Sequence, residues 1–113
     1  MKYEQGAVVW GPGLVRDERP WVVVSNRRHP FRDEECVVVA VTTTERERAV
    51  TLGEDEFKEG GVPRTSYVSP WFVTTRKKTS LNERQGMLTD EAFERVHQEM
   101  LRYLERLWLL RTR

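Results

Sequence analysis

The chain has 113 residues, of which 33% are charged, and a formal net charge of +1. This length is close to the commonest domain size, so we expect one domain over residues 1–113. A net charge near zero excludes binding of nucleic acid by the surface as a whole, so any such binding needs a local basic patch. No apolar run approaches the roughly 20 residues that span a bilayer, and no secretory signal opens the chain. We therefore expect a cytoplasmic protein without membrane contacts.

The first half of the chain predicts four short strands. Residues 6–10 form the first, which the turn-forming sequence at residues 11–13 ends. The valine-rich runs at 21–25 and 36–42 predict strands two and three, and their near-continuous apolar character indicates burial on both faces. Residues 49–52 predict strand four.

The third quarter is less regular. Residues 53–64 contain acidic residues, glycines and a proline, which predict a loop with at most one helical turn at 54–58. Residues 67–75 predict a fifth strand, interrupted at Ser69 and Pro70. These strands predict a small, partly open barrel or curled sheet.

The last quarter changes to helical periodicity over about residues 90–110. Thr89 is placed to cap this helix. The end of the helix, residues 104–110, is apolar around much of its circumference, so either a second subunit or the sheet covers it. The predicted packing stripe comprises Phe93, Val96, His97, Met100, Leu104, Leu107 and Trp108.

Polar residues at the ends of two predicted strands indicate a site. Arg19 precedes strand two, with Pro20 opening that strand, and Thr42 and Thr43 close strand three. If the strands are neighbours, these side chains meet at one sheet edge, and a guanidinium beside hydroxyls is suited to binding phosphate. The alternatives are an ion pair of Arg19 with an adjacent carboxylate and ordinary strand-end packing of the threonines.

Five segments, taken in order and spacing, resemble the MazF/PemK toxins of type II toxin–antitoxin systems, which are small ribonucleases. The segments are residues 6–10, 19–26, 39–43, 66–68 and 85–91, so the resemblance spans nearly the whole chain. It implies a mainly β fold, an SH3-like barrel of about five to seven strands with a C-terminal helix, built as a homodimer. It also implies single-stranded RNA as substrate, a cognate antitoxin as inhibitor, and neither metal nor cofactor.

The resemblance implies that a ribose 2′-hydroxyl attacks the adjacent phosphate, a reaction that needs a base, a cation and an acid. Arg19 matches the motif arginine that stabilises charge on the phosphate, and Thr42 matches the motif threonine that orients it. Many family members carry a Glu-Gln pair before the Arg-Pro motif, where this chain has Leu14 and Val15. We expect Glu18 as the catalytic base, with Asp17 as the alternative; a carboxylate beside Arg19 has its pKa lowered and is a weaker base.

Further RNA contacts are expected outside this motif. Trp71 and Phe72 stand where many members carry polar late-strand residues, and they either stack on bases or belong to the core. The predicted RNA-binding residues are Thr43, Arg27, Arg28, His29, Trp71, Arg76 and Lys77. Solvated loops are the alternative for the basic residues and His29.

The same barrel occurs in CcdB-like toxins, which bind DNA gyrase without catalysis. The absent Glu-Gln pair and the aromatic late strand keep open such a protein-binding toxin, or a degenerate RNA-binding module. The single cysteine, Cys36, cannot form an internal disulfide or supply a cysteine-rich zinc site, so we expect it to be a small core residue.

Overall fold

The protein was analysed as a computed structural model, in which residues 3–13 and 17–111 are described, with side chains up to residue 107. Within these residues, seven strands are followed by one long helix. The elements are β1 (Ala7–Pro12), β2 (Glu18–Val23), β3 (Glu35–Thr42), β4 (Val50–Leu52), β5 (Phe57–Gly60), β6 (Ser66–Lys77), β7 (Arg84–Leu88) and α1 (Asp90–Arg111), with 3-10 turns at Glu54–Glu56 and Lys78–Ser80.

The strands form one antiparallel sheet in the order β4-β6-β3-β2-β1-β7-β5. The sheet curls into a nearly closed barrel, against which α1 packs through β4 and β6. The predicted mainly β barrel with a C-terminal helix is therefore confirmed.

Burial on both faces of the central strands is also confirmed. One apolar cluster lies between the sheet and α1 and includes Val8, Val22, Val39 and Val96. The other lies on the opposite face and is built around Trp21, which is 0% exposed. Successive strand residues point to opposite faces, so one valine run supplies both clusters. Each fully buried valine contributes about 1.5–3 kcal/mol.

The hairpin of β1 and β2 extends further than predicted. Gly11 and Pro12 do not end β1, because they pair with Arg19 and Glu18 of β2. Pro20 is the third residue of β2 rather than its first. The described pairing of β2 with β3 begins only at Trp21, so the missing N–H of Pro20 removes no bond from that ladder.

Strands β5 and β7 are absent from the prediction. Residues 57–60 and 84–88 lack a run of β-branched residues, and glycines interrupt their apolar pattern. The glycines have a structural role, because Gly60 pairs with Gly86 where the two backbones approach closely. A Cβ atom on Gly60 would lie 2.1 Å from the carbonyl oxygen of Gln85. The helical turn expected near residue 54 is present as the 3-10 turn Glu54–Glu56.

The predicted interruption of the fifth strand is a bulge inside β6. Val39 of β3 pairs with Val73, while the next residue, Ala40, pairs with Ser69. Three residues of β6, from Pro70 to Phe72, are therefore inserted between consecutive pairs. The bulge accommodates Pro70 without loss of a ladder bond and bends the long strand around the barrel.

Helix α1 begins as predicted, since the Thr89 hydroxyl accepts a hydrogen bond of 3.1 Å from the backbone N–H of Ala92. The predicted packing of His97 is wrong: its side chain is 50% exposed and lies 3.9 Å from Glu94. The second half of the helix leaves Leu101, Leu104 and Leu107 exposed, and the side chains of residues 108–110 lie outside the described part. No helix among the described residues is long and apolar enough to cross a membrane.

Candidate active site

The ends of β2 and β3 form one wall of an open groove with a cavity volume of about 340 Å³. Trp21 of β2 pairs with Ala40 of β3. Arg19 lies two residues before Trp21 and Thr42 two residues after Ala40, and both line the groove. The structure thus brings together four predicted residues, Arg19, Thr42, Thr43 and Glu18. The complete lining is Trp10, Asp17, Glu18, Arg19, Pro20, Val41, Thr42, Thr43, Val62, Pro63, Arg64 and Ser66.

Arg19 is the partly buried cation of the groove, with its side chain 27% exposed. Its Nη2 lies 3.8 Å from Oδ2 of Asp17, so the ion pair considered as an alternative is present. The Nε atom is buried and makes no hydrogen bond to any described atom. A buried donor without a partner is costly, and the exposed part of the side chain is what an anion in the groove can meet.

Thr42 is arranged to donate a hydrogen bond. Its Oγ1 accepts one of 3.1 Å from the backbone N–H of Thr44, which forms a tight turn at the strand end. Because a hydroxyl both accepts and donates, its hydrogen remains available for an acceptor such as a phosphate oxygen. Thr43, the next residue, is exposed at the same edge.

Two carboxylates lie beside this pair of residues and have different partners. Asp17 is the carboxylate next to Arg19, as given above. Glu18 instead accepts a hydrogen bond of 2.6 Å at Oε1 from Nδ2 of Asn82, on the loop before β7. Leu14 and Val15, which stand where many family members carry a Glu-Gln pair, lie outside the described residues.

The lining of the groove includes a second arginine, Arg64, that the sequence analysis missed. Arg64 is exposed and lies two residues before β6. The Ser66 hydroxyl donates a hydrogen bond of 2.9 Å to the Arg64 carbonyl, which fixes the turn that presents this arginine. Its position depends on the loop path from β5 to β6, which residue spacing alone does not define.

The other predicted basic contacts lie at the far end of β3. Seven residues separate Glu35 from Thr42 along this strand, which corresponds to about 23 Å. His29 lies 3.7 Å from Glu35, as does Lys77, and the His29 Nδ1 atom accepts a hydrogen bond from the Phe31 N–H. Arg27 and Arg28 are exposed on the same loop. These residues form a separate patch outside the groove.

The aromatic residues of the β6 bulge also lie outside the groove. Trp71 packs near Tyr103 of α1, with ring centroids 6.5 Å apart. Phe72 contacts the Trp21 ring edge to face at 5.6 Å, and the guanidinium of Arg76 covers that same ring at 4.8 Å. Phe72 therefore packs in the core, which was one of the two alternatives given for it. Trp71 instead lines a different cavity beside the helix.

Cys36 is buried, with 3% of its surface exposed, as predicted for a core residue. Burial raises the pKa of its thiol above the usual value, mainly by desolvation. A thiol with a raised pKa is a poor nucleophile, so Cys36 has no catalytic character.

A small barrel with an arginine and a threonine at one open edge defines a class of compact β proteins able to bind a phosphate group. The chain belongs to the PemK-like, MazF-like toxins of type II toxin–antitoxin systems, because the sequence model of that family matches residues 4–104. The family resemblance drawn from the motifs is thereby confirmed.

Solved structures agree with this assignment. An endoribonuclease from mycobacterial species, in complex with its cognate antitoxin, is 25% identical, with a TM-score of 0.75 over 90% of this chain and 94% of its own. A second mycobacterial endoribonuclease is also 25% identical, with a TM-score of 0.70 over 93% and 94% of the two chains. The MazE–MazF structure from Deinococcus radiodurans, at 17% identity, shares the fold with a TM-score of 0.68 over 92% and 96%. No curated protein matches the chain.

Proposed function

We propose that this protein is the toxin of a type II toxin–antitoxin pair and cleaves single-stranded mRNA in the cytoplasm, in a sequence-selective reaction that needs no metal. The observation that carries the proposal is that Arg19 and Thr42 line one groove, with the Thr42 hydroxyl free to donate, in a chain of this family. The protein acts as a homodimer and is inhibited by a cognate antitoxin. The endoribonuclease of known structure bound to its antitoxin supports both the activity and the inhibition.

The groove binds the phosphate that is cleaved. The guanidinium of Arg19 donates N–H bonds to the non-bridging oxygens, which gain negative charge as the attacking oxygen adds. Thr42 donates its hydroxyl to one of these oxygens, and Arg64, which also lines the groove, adds positive potential. These donors are in place before the substrate arrives, so little reorganisation accompanies the reaction.

Glu18 acts as the general base. Asn82 orients its carboxylate through Oε1, while Asp17 is the carboxylate engaged with Arg19. Glu18 removes the proton of the 2′-hydroxyl, the 2′-oxygen forms a bond to phosphorus, and the bond from phosphorus to the 5′-oxygen breaks. The products are a 2′,3′-cyclic phosphate and a 5′-hydroxyl, the 5′-oxygen having taken up a proton.

The test is incubation of the purified protein with a long single-stranded RNA in EDTA, followed by mapping of the fragment 5′ ends. We expect discrete cuts with the wild type. Loss of either phosphate donor, in Arg19→Ala or Thr42→Ala, should abolish cleavage while the protein stays folded by circular dichroism. Removing one such donor typically costs about 10²–10³-fold in rate.

The matched control is Arg95→Ala, which removes an arginine on α1 that lies 3.8 Å from Glu56 and outside the groove. This variant should cut RNA like the wild type. Full activity of Arg19→Ala would contradict the site assignment. Intact RNA with the wild type would contradict the nuclease and favour a partner-binding toxin of the CcdB type, to be sought by capture of its protein target.

A further inference from the structure

A second cavity, of about 480 Å³, adjoins the groove and is lined by Trp10, Glu18, Leu81, Asn82 and Glu83. We call it the side cavity. Trp10 and Glu18 line both cavities, so the two spaces meet at these residues. It is an open depression of the surface, so a flat group can enter it from solvent.

The walls of the side cavity are fixed by backbone hydrogen bonds. The N–H of Asn82 donates to the carbonyl of Trp10 at 2.7 Å, and the N–H of Trp10 donates to the carbonyl of Glu83 at 2.9 Å. Trp10 is half-buried, so part of its indole ring is accessible. An accessible aromatic ring held by its backbone on both sides is a suitable stacking surface for a nucleobase.

The acceptor beside Trp10 is the carboxylate of Glu83. One N–H of the Asn82 amide donates to Glu18, which leaves its second N–H and its oxygen. Glu83 is exposed, and its two ionised carboxylate oxygens only accept. Guanine fits a carboxylate because its N1–H and N2 amino donors are adjacent on one edge. Adenine and cytosine place an acceptor next to their amino group, and uracil has one N–H between two carbonyl oxygens.

We propose that the side cavity binds the base on the 5′ side of the cleaved phosphate and selects guanine there, an inference that rests on the proposed RNA cleavage. The position of Glu18 indicates that this base belongs to the nucleotide on the 5′ side. The 2′-hydroxyl that this base deprotonates belongs to the nucleotide on the 5′ side of the phosphate, and Glu18 stands at the junction of the two cavities. The base of that same nucleotide therefore reaches Trp10.

The experiment uses single-stranded oligonucleotides that differ only in the nucleotide 5′ of a mapped cleavage position. The wild type should cleave the guanine substrate at least about 10-fold faster in kcat/KM than the other three, since one good base contact discriminates by this much or more. Glu83→Gln keeps one acceptor oxygen but replaces the other with an amide donor that opposes a donor of guanine, so most of this preference should disappear while cleavage continues. Glu105→Gln, an exposed change on α1, should keep the preference.

A second arm separates base selection from catalysis. A 2′-deoxy substitution at the same nucleotide removes the attacking hydroxyl, and the preference for guanine should persist in binding measured by fluorescence anisotropy. RNA that is cut equally well with any base at this position, or an unchanged preference in Glu83→Gln, would overturn this inference alone. RNA that is neither bound nor cut would overturn the proposed function as well.

Discussion

At the scale of single residues, the two carboxylates at the start of β2, Asp17 just before it and Glu18 as its first residue, are neighbours in sequence but have different roles. Asp17 lies 3.8 Å from Arg19, and its side chain is 59% exposed. Glu18 is oriented by Asn82 at 2.6 Å. We expect Glu18→Gln to lower kcat for RNA cleavage by about 10²–10⁴-fold, the usual contribution of a general base. Single-turnover cleavage measures this step.

Asp17→Asn is the matched comparison, because it also neutralises one carboxylate in the same groove. An exposed ion pair is worth about 1 kcal/mol or less, so the change in rate should stay below about 10-fold. If Asp17→Asn lowered the cleavage rate more than Glu18→Gln did, Asp17 would be the general base. Both proteins should unfold at the same temperature as the wild type, since neither side chain is buried.

The sequence places some of these residues and not others, for a physical reason. Arg19 and Thr42 were predictable because Arg19 precedes one apolar run and Thr42 follows another. Two such strands can pair in few registers. Asn82 and Arg64 were not, since they enter the site from loops whose paths depend on the whole barrel. The patch of Arg27, Arg28, His29 and Lys77 was predicted as part of an RNA surface, but the length of β3 separates it from the groove.

At the scale of elements, the pairing of β5 with β7 depends on glycine. Gly60 has a φ of +65°, and a Cβ there would clash with the Gln85 carbonyl oxygen at 2.1 Å. We expect Gly60→Ala to lower the free energy of unfolding by about 1–3 kcal/mol, the usual cost of a strained backbone residue. Urea unfolding followed by tryptophan fluorescence measures the change.

The adjacent glycine provides the control for this prediction. A Cβ on Gly61 would meet no described atom within 4 Å, and its φ is not positive. Gly61→Ala should therefore change the free energy of unfolding by no more than about 0.5 kcal/mol. Equal effects of the two substitutions would show that general loss of glycine flexibility, and not the backbone contact, determines stability.

The same pairing explains why the sequence predicted some strands and missed others. Strands β2 and β3 have apolar runs that only a buried strand accommodates, and α1 has a clear helical period. Strands β5 and β7 are held by backbone pairing at glycines, for which side-chain patterns give no signal. His97 falls on the helical stripe by spacing, yet its side chain is exposed, while the adjacent Val96 packs in the core.

At the scale of the whole molecule, the second half of α1 has apolar side chains that the barrel does not cover. Leu101, Leu104 and Leu107 are 53%, 54% and 47% exposed. Exposed leucines at successive helical turns are typical of a surface that another chain covers. They support the proposed homodimer, in which this half of the helix contributes to the subunit interface.

Leu104→Glu tests this arrangement, since a charge costs little on a solvent-exposed position but is costly inside an apolar interface. We expect the wild type to sediment at twice the 13.4 kDa chain mass and the variant at the mass of one chain. His97→Glu adds a carboxylate to the better-packed half of the same helix and should remain dimeric. A monomeric wild type would contradict the dimer, and a dimeric Leu104→Glu would place the interface elsewhere. If the interface also completes the RNA-binding surface, the monomeric variant should lose RNA affinity while its groove remains intact.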